Sequence, residues 1–149
     1  MNDLVAGNNL KLLLVLIATM VTCICACHSI PSENSKPYDL IESQWGIEVI
    51  GIRESAAGYM LDFRYRVVDP DKSAPLFNRR IRPYLIDEET GARLEVPNPP
   101  KVGPLRTSDK PKANRTYFIL FGNPGKFIKK GARVTIVIGD LKIKDLVVQ

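Results

Sequence analysis

Apolar and polar residues alternate most cleanly between Tyr59 and Val68. Tyr59, Leu61, Phe63, Tyr65 and Val67 share one parity, while Asp62, Arg64 and Arg66 take the other. A period of two is that of a strand with one covered face, so this segment predicts a half-buried antiparallel strand. The preceding stretch Trp45–Glu54 predicts another, with Trp45, Ile47 and Val49 on one face. Ile50 and Ile52 fall on the other parity, and Gly51 between them marks a bulge that re-phases the strand. Ser55-Ala56-Ala57-Gly58 reads as the connecting turn.

Shorter patterns fill the second half. Asp69-Pro70-Asp71 breaks the second strand, and Lys72–Arg80 holds an irregular turn. Arg80–Asp87 predicts a weaker strand, which Pro83 assigns to a sheet edge because proline lacks the N–H a ladder needs. Glu89-Thr90-Gly91 is a turn and Arg93–Val96 a short strand. Asn114–Phe121 is nearly apolar on both faces, which predicts a central strand, and Gly122–Gly131 is a loop. Gly139-Asp140 is a two-residue hairpin turn. It sets Ile138 against Leu141, Ile136 against Ile143, Val137 against Lys142 and Thr135 against Lys144. The pattern fails at Asp145, opposite Val134, where the strand bends or stops pairing. No window from Gln44 onward carries a sustained helical stripe. About seven short strands in about 105 residues predict an all-β fold, a single immunoglobulin-like antiparallel β-sandwich. A small barrel is the alternative.

The N-terminal pattern differs in kind. Leu12–Ala26 is a continuous apolar run of 15 residues preceded by Lys11. That is short of the roughly 20 residues needed to span a bilayer. A basic flank, an apolar core and a small-residue exit describe an export signal. The run ends in Ile24-Cys25-Ala26-Cys27. This resembles the lipobox of bacterial lipoproteins, in which a branched aliphatic, a small residue and Ala or Gly precede the cysteine that is lipidated. Cys25 stands where Ser, Thr or Ala is usual. The resemblance implies a diacylglycerol on the Cys27 thiol and cleavage before it. It divides the chain into a signal over 1–26, a lipidated cysteine and flexible tether over 27–43, and the β-sandwich over 44–149. The rival to cleavage is a retained signal anchor. Two or three acyl chains, at ~0.8 kcal/mol per buried CH₂, hold a domain on a membrane far more firmly than one. By the same resemblance the protein sits on the periplasmic face of an envelope membrane. Ser29, after Cys27 and His28, is not the Asp that favours inner-membrane retention in many such proteins, so the outer membrane is preferred.

Composition narrows the chemistry. All three cysteines precede the domain and the sole histidine is His28, so Ser29–Gln149 holds neither type. Disulfide scaffolds, thiol nucleophiles, serine–histidine pairs and most zinc or haem sites are thereby excluded from the domain. The formal net charge is +5. Arg79, Arg80 and Arg82 form one basic group and Lys126, Lys129 and Lys130 another, with Phe127 and Ile128 inside the second. Solvated surface is the plain reading of both. Asp69-Pro70-Asp71 and Asp87-Glu88-Glu89 are the acidic clusters. Neither has EF-hand spacing, and both read as turns.

One segment stands out. Five of the eleven prolines lie between Pro97 and Pro111. A loop of this length inside a small domain is uncommon and often functional. Its candidate contact residues are Val102 and Leu105 as apolar anchors with Arg106 and Lys110 as charges. The other reading is a rigid crossover between sheets. No catalytic, metal or cofactor site is expected. The expectation is a monomeric, non-enzymatic binding or assembly module, held to the membrane by its lipid and facing an envelope protein or the cell wall rather than nucleic acid. An enzyme acting on cell-wall or sugar polymers through loop carboxylates, or a structural spacer, are the alternatives.

Overall fold

Seven strands arranged in two antiparallel sheets make an all-β sandwich, in a computed structural model that describes residues 38–107 and 109–149. The signal, Cys27 and most of the tether lie outside the described residues. The first sheet has the order β1 (Ile47–Ser55), β2 (Met60–Val67), β5 (Thr116–Gly122). The second has the order β4 (Arg93–Glu95), β3 (Tyr84–Asp87), β6 (Arg133–Ile138), β7 (Leu141–Val147). Among the described residues no helix is long and apolar enough to cross a membrane.

The alternation in β2 sets the core. Leu61, Phe63, Tyr65 and Val67 are buried, as are their partners Phe121, Ile119 and Tyr117 on β5. From the second sheet Leu85, Ile136, Ile138, Leu141 and Ile143 meet them in one cluster. Phe63, Tyr65, Tyr117 and Phe77 stack within it, with Phe77 edge-on to Tyr117 at 4.8 Å between ring centres. Burial of each such side chain contributes about 1.5–3 kcal/mol. Tyr59 departs from the expected face: β2 begins at Met60, and Tyr59 lies 57% exposed in the preceding turn.

Both predicted irregularities are present. β1 slips register between Val49 and Gly51, so Ile50 is extra and exposed while Ile47 and Ile52 are both buried. Gly51 has φ 145°, a backbone that favours glycine. In the last hairpin Ile136, Val137 and Ile138 pair with Ile143, Lys142 and Leu141. The register then shifts, and Val134 meets Leu146 because Asp145, at φ 57°, adds a residue to β7.

Four expectations are corrected. Asp39–Trp45, divided between tether and first strand in the sequence reading, is a helix, α1. Tyr38, Ile41 and Trp45 recur at helical spacing and pack against the core, so Trp45 belongs to α1 and not to β1. Gly46 ends α1 at φ 62°, and a Cβ there would lie 2.6 Å from the Asp69 carbonyl oxygen. Asp69 in turn caps the short helix α2 (Pro70–Ser73), accepting from the Asp71 and Lys72 amides. The third strand begins after Pro83 and is interior, between β4 and β6. Finally, β5 is a sheet edge and not a central strand. Its second apolar face is only part covered, with Phe118 41% exposed.

Candidate functional site

The free side of β5 is where the proline-rich segment returns to the sheet. Arg106 bridges Ile119, the Thr107 amide donates to the Phe118 carbonyl at 3.1 Å, and the Leu120 amide donates to the Leu105 carbonyl at 2.9 Å. Three residues thus act as a partial fourth strand that blunts the edge. Farther back, the Leu105 amide donates to the Pro97 carbonyl at 3.0 Å, and the Gly103 amide to that of Pro99 at 2.8 Å. The backbone of this segment is therefore tied down at several points.

This arrangement fixes Arg106 on the wall of a cleft of about 450 Å³. Arg79 and Arg82 reach the cleft from the loop before β3, and Arg93 and Glu95 reach it from β4. Pro83, Pro97 and Pro104 form the stiff part of the lining. A second hollow of about 370 Å³ shares Arg79, Pro104 and Arg106 and adds Val102 and Gly103.

Arg106 is only 9% exposed. One guanidinium N–H donates to the Asn78 carbonyl at 2.8 Å. Burial pushes its pKa down from the ordinary value, and the neighbouring Tyr65 phenol counters that. Burial likewise pushes the Tyr65 phenol up, which the Arg106 charge opposes. Arginine stays protonated throughout the biological range, so this is a desolvated cation. Among the described residues no carboxylate pairs with Arg106, Arg79 or Arg82. Arg93 is engaged, lying 3.8 Å from the Tyr84 ring centre and 3.5 Å from a Glu95 carboxylate oxygen.

Four guanidinium groups against one carboxylate make an anion-attracting wall. Each offers a planar fork of donors suited to a carboxylate or phosphate. The acidic clusters have structural partners instead. Asp69 caps α2, and Asp87 accepts from the Thr90 amide and hydroxyl inside its turn. Among the described residues no three His, Cys, Asp or Glu side chains gather as a metal site requires.

Of the residues singled out in the sequence, Val102 sits at the loop apex, 74% exposed. Leu105 is half-buried, and Arg106 is in the cleft wall. Lys110 is exposed and lines neither hollow; its carbonyl accepts from the Tyr117 hydroxyl at 3.2 Å. The structure thus brings Val102 and Arg106 together and leaves Lys110 apart. Sequence reasoning saw the Arg79–Arg82 group but not its meeting with Arg93 and Arg106, because three separate segments contribute. No family model matches this chain, and neither the curated proteins nor the solved structures hold a match to it.

Proposed function

We propose that this protein is a lipid-anchored, non-enzymatic binding module of a bacterial envelope, and that its arginine-lined cleft holds an anionic ligand. The observation that carries the reading is Arg106: a buried guanidinium without a carboxylate partner, facing a cleft with three further arginines. A desolvated cation of that kind is most stable when an anion completes its shell. The envelope address rests on the signal run and on Cys27 in the lipobox-like Ile24-Cys25-Ala26-Cys27. The immunoglobulin-like form of the sandwich is supported by strand order. The first, second and fifth strands share one sheet and the fourth, third, sixth and seventh the other, as strands A, B, E and C′, C, F, G do in such domains.

One set of variants tests both halves. Cys27→Ser should abolish lipid labelling and leave the precursor unprocessed, while Cys23→Ser and Cys25→Ser mature normally. For the cleft the probe is a short linear polyphosphate, followed by calorimetry on the full chain. Arg106→Gln and the Arg79→Gln/Arg82→Gln pair should each weaken binding at least tenfold, and the pair, whose side chains are exposed, should do so with an unchanged thermal midpoint. A polyphosphate affinity equal to wild type in both variants would dismiss the cleft.

A further inference from the structure

The β1–β2 turn (residues 55–59) and the segment after β5 (residues 123–131) form one tip, clamped by Asn123. That side chain is fully buried. Its amide donates to the Gly58 carbonyl at 2.9 Å and to the Ile128 carbonyl at 2.7 Å, and its oxygen accepts from the Ile128 amide. The Asn123 main-chain N–H donates to the Tyr59 carbonyl at 2.8 Å. Ile128 is buried beneath as the apolar root of the second loop.

What this clamp presents outward is unusual. Phe127 is 77% exposed and Tyr59 57% exposed. The Phe127 ring lies against Gly125, where a Cβ would come within 2.8 Å of it. Lys126 places its ammonium 4.4 Å from the Tyr59 ring centre. Lys129 and Lys130 follow on the same loop, and neither loop contains an acid. Glu54, at the end of β1, accepts from the Lys130 main-chain amide at 2.9 Å.

The backbone is strained at the same place. Five non-glycine described residues have left-handed φ, and three of them, Ala56, Ala57 and Lys126, belong to this tip. Such conformations cost energy and persist where surrounding contacts impose them, commonly at functional sites. Here the imposed shape holds two aromatic rings outward among three lysines.

We infer that this tip is a membrane-contact site for an anionic lipid surface. Phe127 and Tyr59 enter the headgroup–acyl boundary, where aromatic rings are favoured. Lys126, Lys129 and Lys130 meet lipid phosphates while their stems run along the apolar layer. Charge complementarity selects this occupant: lysines around exposed rings match a surface that is anionic above and apolar below. The inference takes its setting from the envelope address proposed above. Its residues are distinct from those lining the cleft.

The test must read the tip itself, since the apolar N-terminal run would bring the full chain to any bilayer. Phe127→Trp supplies a local probe, with Trp45 emission of the parent protein subtracted. The full chain is reconstituted in vesicles of phosphatidylglycerol and phosphatidylcholine, and in phosphatidylcholine alone, each with brominated acyl chains. In anionic vesicles the added indole emission should shift to the blue and be quenched, and in neutral vesicles neither should occur. Removing lysines singly as Lys→Gln should weaken tip insertion about fivefold each. An indole that stays unquenched in anionic vesicles, or is quenched equally in neutral ones, overturns the proposal. Cys27→Ser labelling is read independently, so failure of the lipid anchor and failure of the tip are distinguishable.

Discussion

Single side chains decide much of this molecule, and the decisive ones are polar. Asn123 looks unremarkable in its loop, and Arg106 shows in the sequence only as one charge of a proline-rich candidate loop, with no sign of its burial. Each acts through partners that folding brings from distant segments, so no local period announces them. Glu88 is a third case. Its carboxylate accepts from the Thr135 hydroxyl at 2.7 Å and the Asp145 amide at 3.0 Å, bracing the β7 bulge. The Thr135 bond, then the Asp145 bond, holds its pKa below the ordinary value of 4.5. A carboxyl lowered on folding stabilises above its unfolded pKa, and that contribution is lost as pH falls through the folded value. Glu88 is almost fully exposed, so the effect is small. Glu88→Gln should therefore lower the thermal midpoint slightly at pH 7, and the difference from wild type should shrink as pH falls below 4.5. A difference constant with pH would exclude this role.

At the scale of elements, strands were legible wherever one face is buried along several residues. β2 and the last hairpin read correctly because a period of two over many positions leaves one register. The β1 bulge was legible because the parity of its apolar residues switches across a glycine. α1 was not, since a helix of seven residues offers only Tyr38, Ile41 and Trp45 as a stripe. Two apolar faces on β5 pointed to the sheet interior, whereas the neighbour on its free side is the Leu105–Thr107 backbone. That pairing gives the proline-rich segment a structural task beside its place in the cleft. Replacing Val102–Arg106 with Gly/Ser of equal length keeps the backbone donors and acceptors but makes the segment more flexible when unfolded and removes the Arg106 bond to the Asn78 carbonyl, together about 1–3 kcal/mol. The midpoint should then fall by roughly 5–10 °C, while Val102→Ala at the exposed apex leaves it unchanged. A loop replacement that melts normally would show that the β5 edge does not need this cover.

Across the whole molecule, the division into seven strands and two antiparallel sheets followed from turn chemistry and strand spacing. The cleft did not, because it exists only where the segment before β3, the strand β4 and the proline-rich loop converge. One feature of the assembled sandwich governs how it is reached. Past β7, Val148 bridges Ile52 in parallel, the Gln149 amide donates to the Ile52 carbonyl, and the Glu54 amide donates to the Gln149 carbonyl. Among the described residues, the first strand and residues 148–149, about 95 positions apart, are thus stitched to each other. Such high contact order places refolding in the millisecond-to-second range. Stopped-flow recovery of Trp45 emission should fall there, and a microsecond phase carrying the full amplitude would contradict it. During synthesis the same stitch leaves β1 waiting. Until residues 148 and 149 emerge, the outer edge of β1 lacks these partners, so its exposed N–H and C=O groups are open to a neighbouring chain.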